Sequence, residues 1–84
     1  MSYKSILSSV FEYADYDETT QTLDLAFKDG KTGEPGTTGK IVRYKNISSK
    51  IFSLFMKDNE FGRNYNQYIR GKYSWEIIGK TQSS

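Results

Sequence analysis

The sequence predicts an α+β fold: a small antiparallel three-stranded meander, with room for a fourth strand, packed with two short helices. Three observations carry this. "LDLAFK" alternates cleanly between apolar and polar residues, which is the period of a strand with one buried face. In "ISSKIFSLFMKD" the apolar residues Ile47, Ile51, Leu54 and Phe55 recur at helical spacing instead. Between these two regions lies "KTGEPGTTGK", whose glycines and proline punctuate the chain. Eighty-four residues make one domain, with a core reading of about 10–73, an extended loop at 31–39 and an extension at 74–84.

The elements follow in order. "SVFEYADY" (9–16) alternates loosely and carries aromatics and Val, so it is the first strand, and "DYDETTQT" is a polar turn. The second strand sets Leu23, Leu25 and Phe27 on one face and Asp24, Ala26 and Lys28 on the other, pairing with the first as a hairpin. The loop after Asp29-Gly30 reads as flexible and exposed. In "KIVRYKN", Val42 and Tyr44 share one face of a third strand, and Ile41, Arg43 and Lys45 share the other. Ser48 or Ser49 caps the first helix, which also accounts for the acceptor-like "NIS" at Asn46. Gly62 is expected to end that helix through a positive φ. "RNYNQYI" forms the second helix, Gly71 breaks it, and "YSWEIIG" supplies the last extended segment.

Composition narrows the function classes. The chain has no cysteine and no histidine, which removes thiol nucleophiles, thiolate-held zinc and the commonest general base. No nucleophile–base pair is evident, so the reading is non-enzymatic, with no cofactor. The N-terminal "MSYKSILSSVFEY" has no long apolar run, so a cytoplasmic protein is expected. The net charge of +2 hides a split. Residues 1–30 carry two lysines against six acids, a balance of −4, while residues 31–84 carry ten cations against four acids, a balance of +6. Such polarity suits one anion-binding face, or self-association of opposite faces, or neither where strands and loops merely collected the acids.

Two motifs fail on inspection. "GEPGTTGK" is not a phosphate-binding P-loop: five residues separate Gly33 and Gly39, Ile41 stands where Ser or Thr would hold magnesium, and the segment enters a strand. A hairpin loop that can fold over a ligand as a lid is the remaining reading. Asp15, Asp17 and Glu18 are oxygen ligands without the spacing of a calcium loop, so solvated turn acids are expected there and no metal is assigned.

"YNQYIRGKYSW" (65–75) sets four aromatic rings beside an Arg and a Lys. Tyr65, Tyr68 and Ile69 share one helix face, so about half of the rings belong to the core. Core packing does not explain the polar groups Arg63, Asn66, Arg70 and Lys72 interleaved with them. Arg next to an aromatic ring is the usual equipment for holding a base and its phosphate. The candidate ligand-binding set is Arg70, Lys72, Asn66, Tyr73, Arg63, Tyr44, Arg43 and Trp75. The competing structural reading makes Arg70 an ion-pair partner for an acid of the first hairpin.

"YDETTQTLDLAF", "VRYKNIS" and "GRNYNQYIRGKY" together resemble the KTSC domain. This family is named for the C-terminus of some lysyl-tRNA synthetases and also occurs as small stand-alone proteins of bacteria and phages. The resemblance covers roughly residues 10–73 and is most specific at Gly62–Tyr73, where Asn66, Ile69, Arg70 and Tyr73 fall in the family pattern. The central Y-x-Y motif is half kept, with Val42 in the first position and Tyr44 in the second. The family has been suggested to bind RNA, and the resemblance carries Asn66, Arg70 and Tyr73 into the same candidate patch.

Three functions stay open at this level. The first is capture of a phosphate-bearing, nucleotide-type small ligand, as in a phage sponge that sequesters a host immune signal. A chain this short can enclose such a ligand only as a homo-oligomer. The second is an RNA or single-stranded nucleic-acid binding module, and the third a protein–protein interaction module without ligand.

Overall fold

A computed structural model of the chain describes residues 2–5, 10–28, 30 and 33–80, the first segment by its backbone alone. Ser9 of the expected first strand, the start of the long loop (31–32) and the end of the tail (81–84) lie outside the described residues. The sheet is built from β1 (Ser2–Ser5), β2 (Phe11–Asp17), β3 (Thr22–Phe27), β4 (Lys40–Tyr44) and β5 (Trp75–Lys80), all antiparallel and in sequence order. Helices α1 (Ser49–Met56) and α2 (Phe61–Tyr68) pack on one face, so the architecture is α+β in two layers. The meander and its additional C-terminal strand are as the sequence predicts. The N-terminal strand β1 was not expected.

Two register shifts shape the sheet. Phe11 pairs with Phe27 and Tyr13 with Ala26, so Glu12 is an extra residue in β2. This bulge lets Phe11 and Ala14, three apart, face the same core. In β5 the extra residue is Ile78, because Ile77 pairs with Val42 and Gly79 with Ile41. Central β3 is buried on both faces: Leu23, Leu25 and Phe27 point to the helices, while small Ala26 lies between Tyr13 and Ile41 of the neighbouring strands.

Aromatic rings fill the space between sheet and helices. Phe11 meets Phe27, Phe55 and Tyr65 at centroid distances of 5.0, 5.7 and 5.5 Å, mostly tilted or edge-on, the arrangement that ring quadrupoles favour. Tyr16 stacks on Phe52 at 4.4 Å and donates its hydroxyl to the Ile47 carbonyl at 2.7 Å, which ties β2 to the start of α1. Ser48 is the N-cap of α1, its side chain accepting the Ile51 N–H.

The helix junction departs from the sequence reading. Gly62 does not end α1; it sits inside α2, where a Cβ would meet Val10 at 3.3 Å. The reversal is made by Asp58 and Asn59, both at φ 57°. Asn is tolerated in this region because its short polar side chain bonds locally. Asn64 then closes the junction, its side-chain amide donating to the carbonyls of Phe55 and Lys57 at 3.0 and 2.8 Å. No helix among the described residues is long and apolar enough to cross a membrane.

Candidate functional site: a cationic turn above a buried tyrosine pair

Helix α2 turns Phe61, Asn64, Tyr65 and, just past its end, Ile69 inward. Arg63, Asn66 and Arg70, at spacings of three and four, therefore share an exposed stripe. Asn66 donates to the Gly62 carbonyl at 3.1 Å, and Arg70 reaches the Asn66 side-chain oxygen at 3.4 Å. Arg63 pairs with Glu60 at 3.4 Å, a fully hydrated contact of small energetic weight. Arg70 and Lys72 make no ion pair among the described residues.

The turn that carries these two cations is held at three backbone positions. The N–H of Arg70 donates to Tyr65 O at 2.9 Å and that of Lys72 to Ile69 O at 3.1 Å. Between them, Gly71 at φ +73° donates its N–H to the Glu34 carboxylate at 2.9 Å. A positive φ there reverses the chain after the helix, the role assigned to this glycine from sequence.

Glu34 comes from the long loop and is buried, as are Gly33 and Thr37. The loop is therefore packed into the structure at these three positions, against the expectation from its composition, while Pro35, Gly36 and Thr38 are exposed. The same carboxylate oxygen of Glu34 accepts the Tyr44 hydroxyl at 3.2 Å, and Tyr44 and Tyr65 share a hydroxyl–hydroxyl bond of 2.5 Å. Gly33 packs against Tyr65: a Cβ built on it would overlap the phenol ring and its oxygen. Thr37 donates to the Glu34 carbonyl at 2.6 Å and folds the loop onto itself. Burial, followed by the bond to Tyr65, raises the Tyr44 phenol far above its ordinary range. Burial also pushes Tyr65 up to about 12, with the bond to Tyr44 opposing, the charge of Glu34 adding and the Arg70 guanidinium opposing.

The eight residues singled out from sequence divide accordingly. Arg63, Asn66, Arg70 and Lys72 lie together at the surface, and Tyr73 is half-buried directly after them. Tyr44 lies beneath, closed to solvent. Trp75 is half-buried on β5, opposite Tyr44 in the register. Arg43 is elsewhere, on the sheet face turned away from the helices, where it grips Asp24 through two bonds of 2.9 and 3.0 Å. Asp15, Asp24, Arg43 and Glu76 form one cross-strand row there. With Asp17 and Lys45 they line a shallow groove of about 430 Å³. Burial, then the charge of Asp24, raises the Asp15 carboxyl, whose Oδ1 is buried without a hydrogen-bond partner among the described residues. Among the described residues no group of three acids is placed to hold a metal ion. Sequence reasoning missed Glu34 and Asn64. Nothing local marks Glu34, which acts on residues 10 and 37 positions away, whereas Asn64 closes contacts seven and nine positions back along the chain.

The comparisons with known proteins bear on this fold. The KTSC domain family model matches residues 7–73. The crystal structure of a KTSC domain protein from Yersinia pestis has a TM-score of 0.76, covering 93% of this chain and 97% of that one at 20% identity, a likeness of fold. The search of curated proteins found no match. Since the family model spans most of its length, the chain belongs to the KTSC domain family.

Proposed function

We propose that the protein is a non-enzymatic binder that captures a phosphate-bearing, nucleotide-type small ligand at the Arg70–Lys72 turn and holds it without converting it. One observation carries this reading: two cations without a carboxylate partner among the described residues stand on a turn whose backbone is fixed by three hydrogen bonds. A guanidinium offers paired hydrogen bonds to phosphate, and a fixed backbone lowers the ordering cost of binding. Tyr73 and Trp75 supply aromatic surface for a base. The patch is open, so a second copy is the proposed cover, with edge strand β5 and its exposed Ile77 and Ile78 as the apolar surface for self-association. Sequestration of a nucleotide signal is the role that fits such a carrier.

The same openness favours a second reading, an RNA or single-stranded nucleic-acid module in which a strand runs across Arg63, Arg70 and Lys72. Salt dependence separates the two, with Trp75 fluorescence as reporter. Adenosine 5′-monophosphate held in a formed site is expected to show a shallow slope and a preference over other nucleotides. An oligonucleotide loses affinity steeply as salt rises, because each neutralised phosphate releases counterions. A steep slope with no preference among oligonucleotides, and no mononucleotide binding, overturns the first reading in favour of the second.

A further inference from the structure

We propose that the Glu34 carboxylate is an internal stand-in for the ligand's anionic group. It occupies an oxyanion site made by the Tyr44 hydroxyl and the Gly71 N–H, with Tyr65 bonded behind Tyr44, and the segment 33–37 is the lid that carries it. The proposal rests on the reading of the Arg70–Lys72 turn as a ligand site and specifies what lies beneath it.

The donors converge as they would on a bound phosphate oxygen. The Gly71 N–H at 2.9 Å and the Tyr44 hydroxyl at 3.2 Å meet a single oxygen of Glu34, and the Tyr65 hydroxyl is bonded to that of Tyr44. Arg70 and Lys72 flank Gly71 in the chain, so the amide that holds the carboxylate lies between the two cations of the turn. Among the described acids of residues 31–84, Glu34 is the buried one; Asp58, Glu60 and Glu76 are exposed.

The segment is folded onto itself by the bond from Thr37 to Glu34, and it is tied to the start of β4 by the Lys40 N–H, which bonds Thr37 O at 3.0 Å. Gly30 at φ +82° and Gly39 at φ +65° stand on either side of it, and glycine is the residue that leaves such conformations at little steric cost. Gly33 covers the Tyr65 hydroxyl directly, so lifting the segment uncovers both phenols and the Gly71 N–H at once. A phosphomonoester then replaces one carboxylate oxygen with oxygens that the Tyr44 hydroxyl, the Gly71 amide and the Arg70 guanidinium bind together.

Inorganic phosphate and adenosine 5′-monophosphate, titrated into the wild-type protein and Glu34→Gln, test this, with the Gly33 and Gly71 backbone amides followed by NMR. The amide side chain of Gln keeps an acceptor for Gly71 but removes the competing charge. Saturable shifts at both amides are expected, with about tenfold or greater tightening in Glu34→Gln. Adding Tyr44→Phe to that variant should reverse the gain. If adenosine 5′-monophosphate binds through Arg70 while both amides stay put and Glu34→Gln is no tighter, the stand-in is overturned and the surface site stands. If neither probe binds either protein, both fall. Should Glu34→Gln fail to fold, the wild-type amide shifts decide alone.

Discussion

Glu34 and Gly71, 37 positions apart, are joined by a hydrogen bond of 2.9 Å from the glycine N–H to the carboxylate. That bond fixes the end of α2 to the long loop, and through Tyr44 to the sheet. A loop of glycine, proline and threonine thereby becomes part of the packed structure.

Truncating Glu34 should therefore be felt as a structural loss. Glu34→Ala removes the acceptor for a buried phenol and a backbone N–H, and each such loss costs about 1–3 kcal/mol. Urea denaturation should show a lowered midpoint with an unchanged slope. Glu34→Gln should lose much less, since it keeps the acceptor.

The two buried phenols make alkaline stability informative. Both Tyr44 and Tyr65 are raised above the ordinary tyrosine value of 10.0, Tyr65 to about 12. Between those pH values the folded protein keeps protons that the unfolded chain releases, so stability falls as pH rises through the window. Their contribution is complete below pH 10. Absorbance titration at the phenolate band should show these two tyrosines ionising with unfolding, and Tyr65→Phe should flatten the pH dependence between 10 and 12.

Arg70→Ala should leave the fold nearly intact, within about 0.5 kcal/mol, because the side chain is exposed and among the described residues hydrogen-bonds to Asn66 alone. It should cost about 1.5–3 kcal/mol of ligand binding, the worth of hydrogen bonds to a charged group. Arg70→Lys should recover part of this, since an ammonium lacks the planar fork. A large fall in melting temperature with ligand binding preserved would make Arg70 structural. Calorimetry on both variants distinguishes the cases.

Asp15→Asn should stabilise the protein at neutral pH. The Asp15 carboxyl is raised by burial and by Asp24, and its Oδ1 has no hydrogen-bond partner among the described residues. The folded state thus binds this proton more tightly than the unfolded chain, and stability declines as pH rises above 3.8 through the folded value. The gain from Asn should shrink as the pH is lowered below 3.8. Thermal melts of both proteins across that range measure it.

Light scattering across high micromolar concentration should find an oligomer, at low and at moderate salt. Ile77→Lys, on the exposed edge strand, should shift it towards monomer. A monomer under all conditions would remove the second copy from the proposed site.

What the sequence disclosed and what it hid follow the range of the interactions. Leu23, Leu25 and Phe27, then Val42 and Tyr44, declare their inward face through a period of two, and the structure buries all five. Ser48 declares the start of α1 through its own side chain. By contrast, β1 is the short polar segment "SYKS", whose pairing depends on the partner strand and leaves no apolar rhythm. The end of α1 was placed at Gly62 because glycine is the usual residue for positive φ, whereas Asp58 and Asn59 take that role. Gly33 was read as freedom in a loop, and it is in fact a vacancy cut for the Tyr65 ring. The candidate cations Arg63, Arg70 and Lys72 were visible as a surface group. Arg43 could not be separated from them without knowing that Asp24 faces it across the sheet.

The row Asp15, Asp24, Arg43 and Glu76 also bears on how a charged partner first meets this molecule. It places an excess of acid on the bare side of the sheet, while Arg63, Arg70 and Lys72 lie on the side of the helices. A chain with a net charge of only +2 is thus an electric dipole. An approaching polyanion experiences a torque before it makes any contact, turning the cationic end towards it and the acidic sheet away. Productive collisions are enriched over random ones, and the enrichment fades once the ionic atmosphere becomes thinner than the molecule, about 8 Å at physiological salt against a longest dimension of 33 Å.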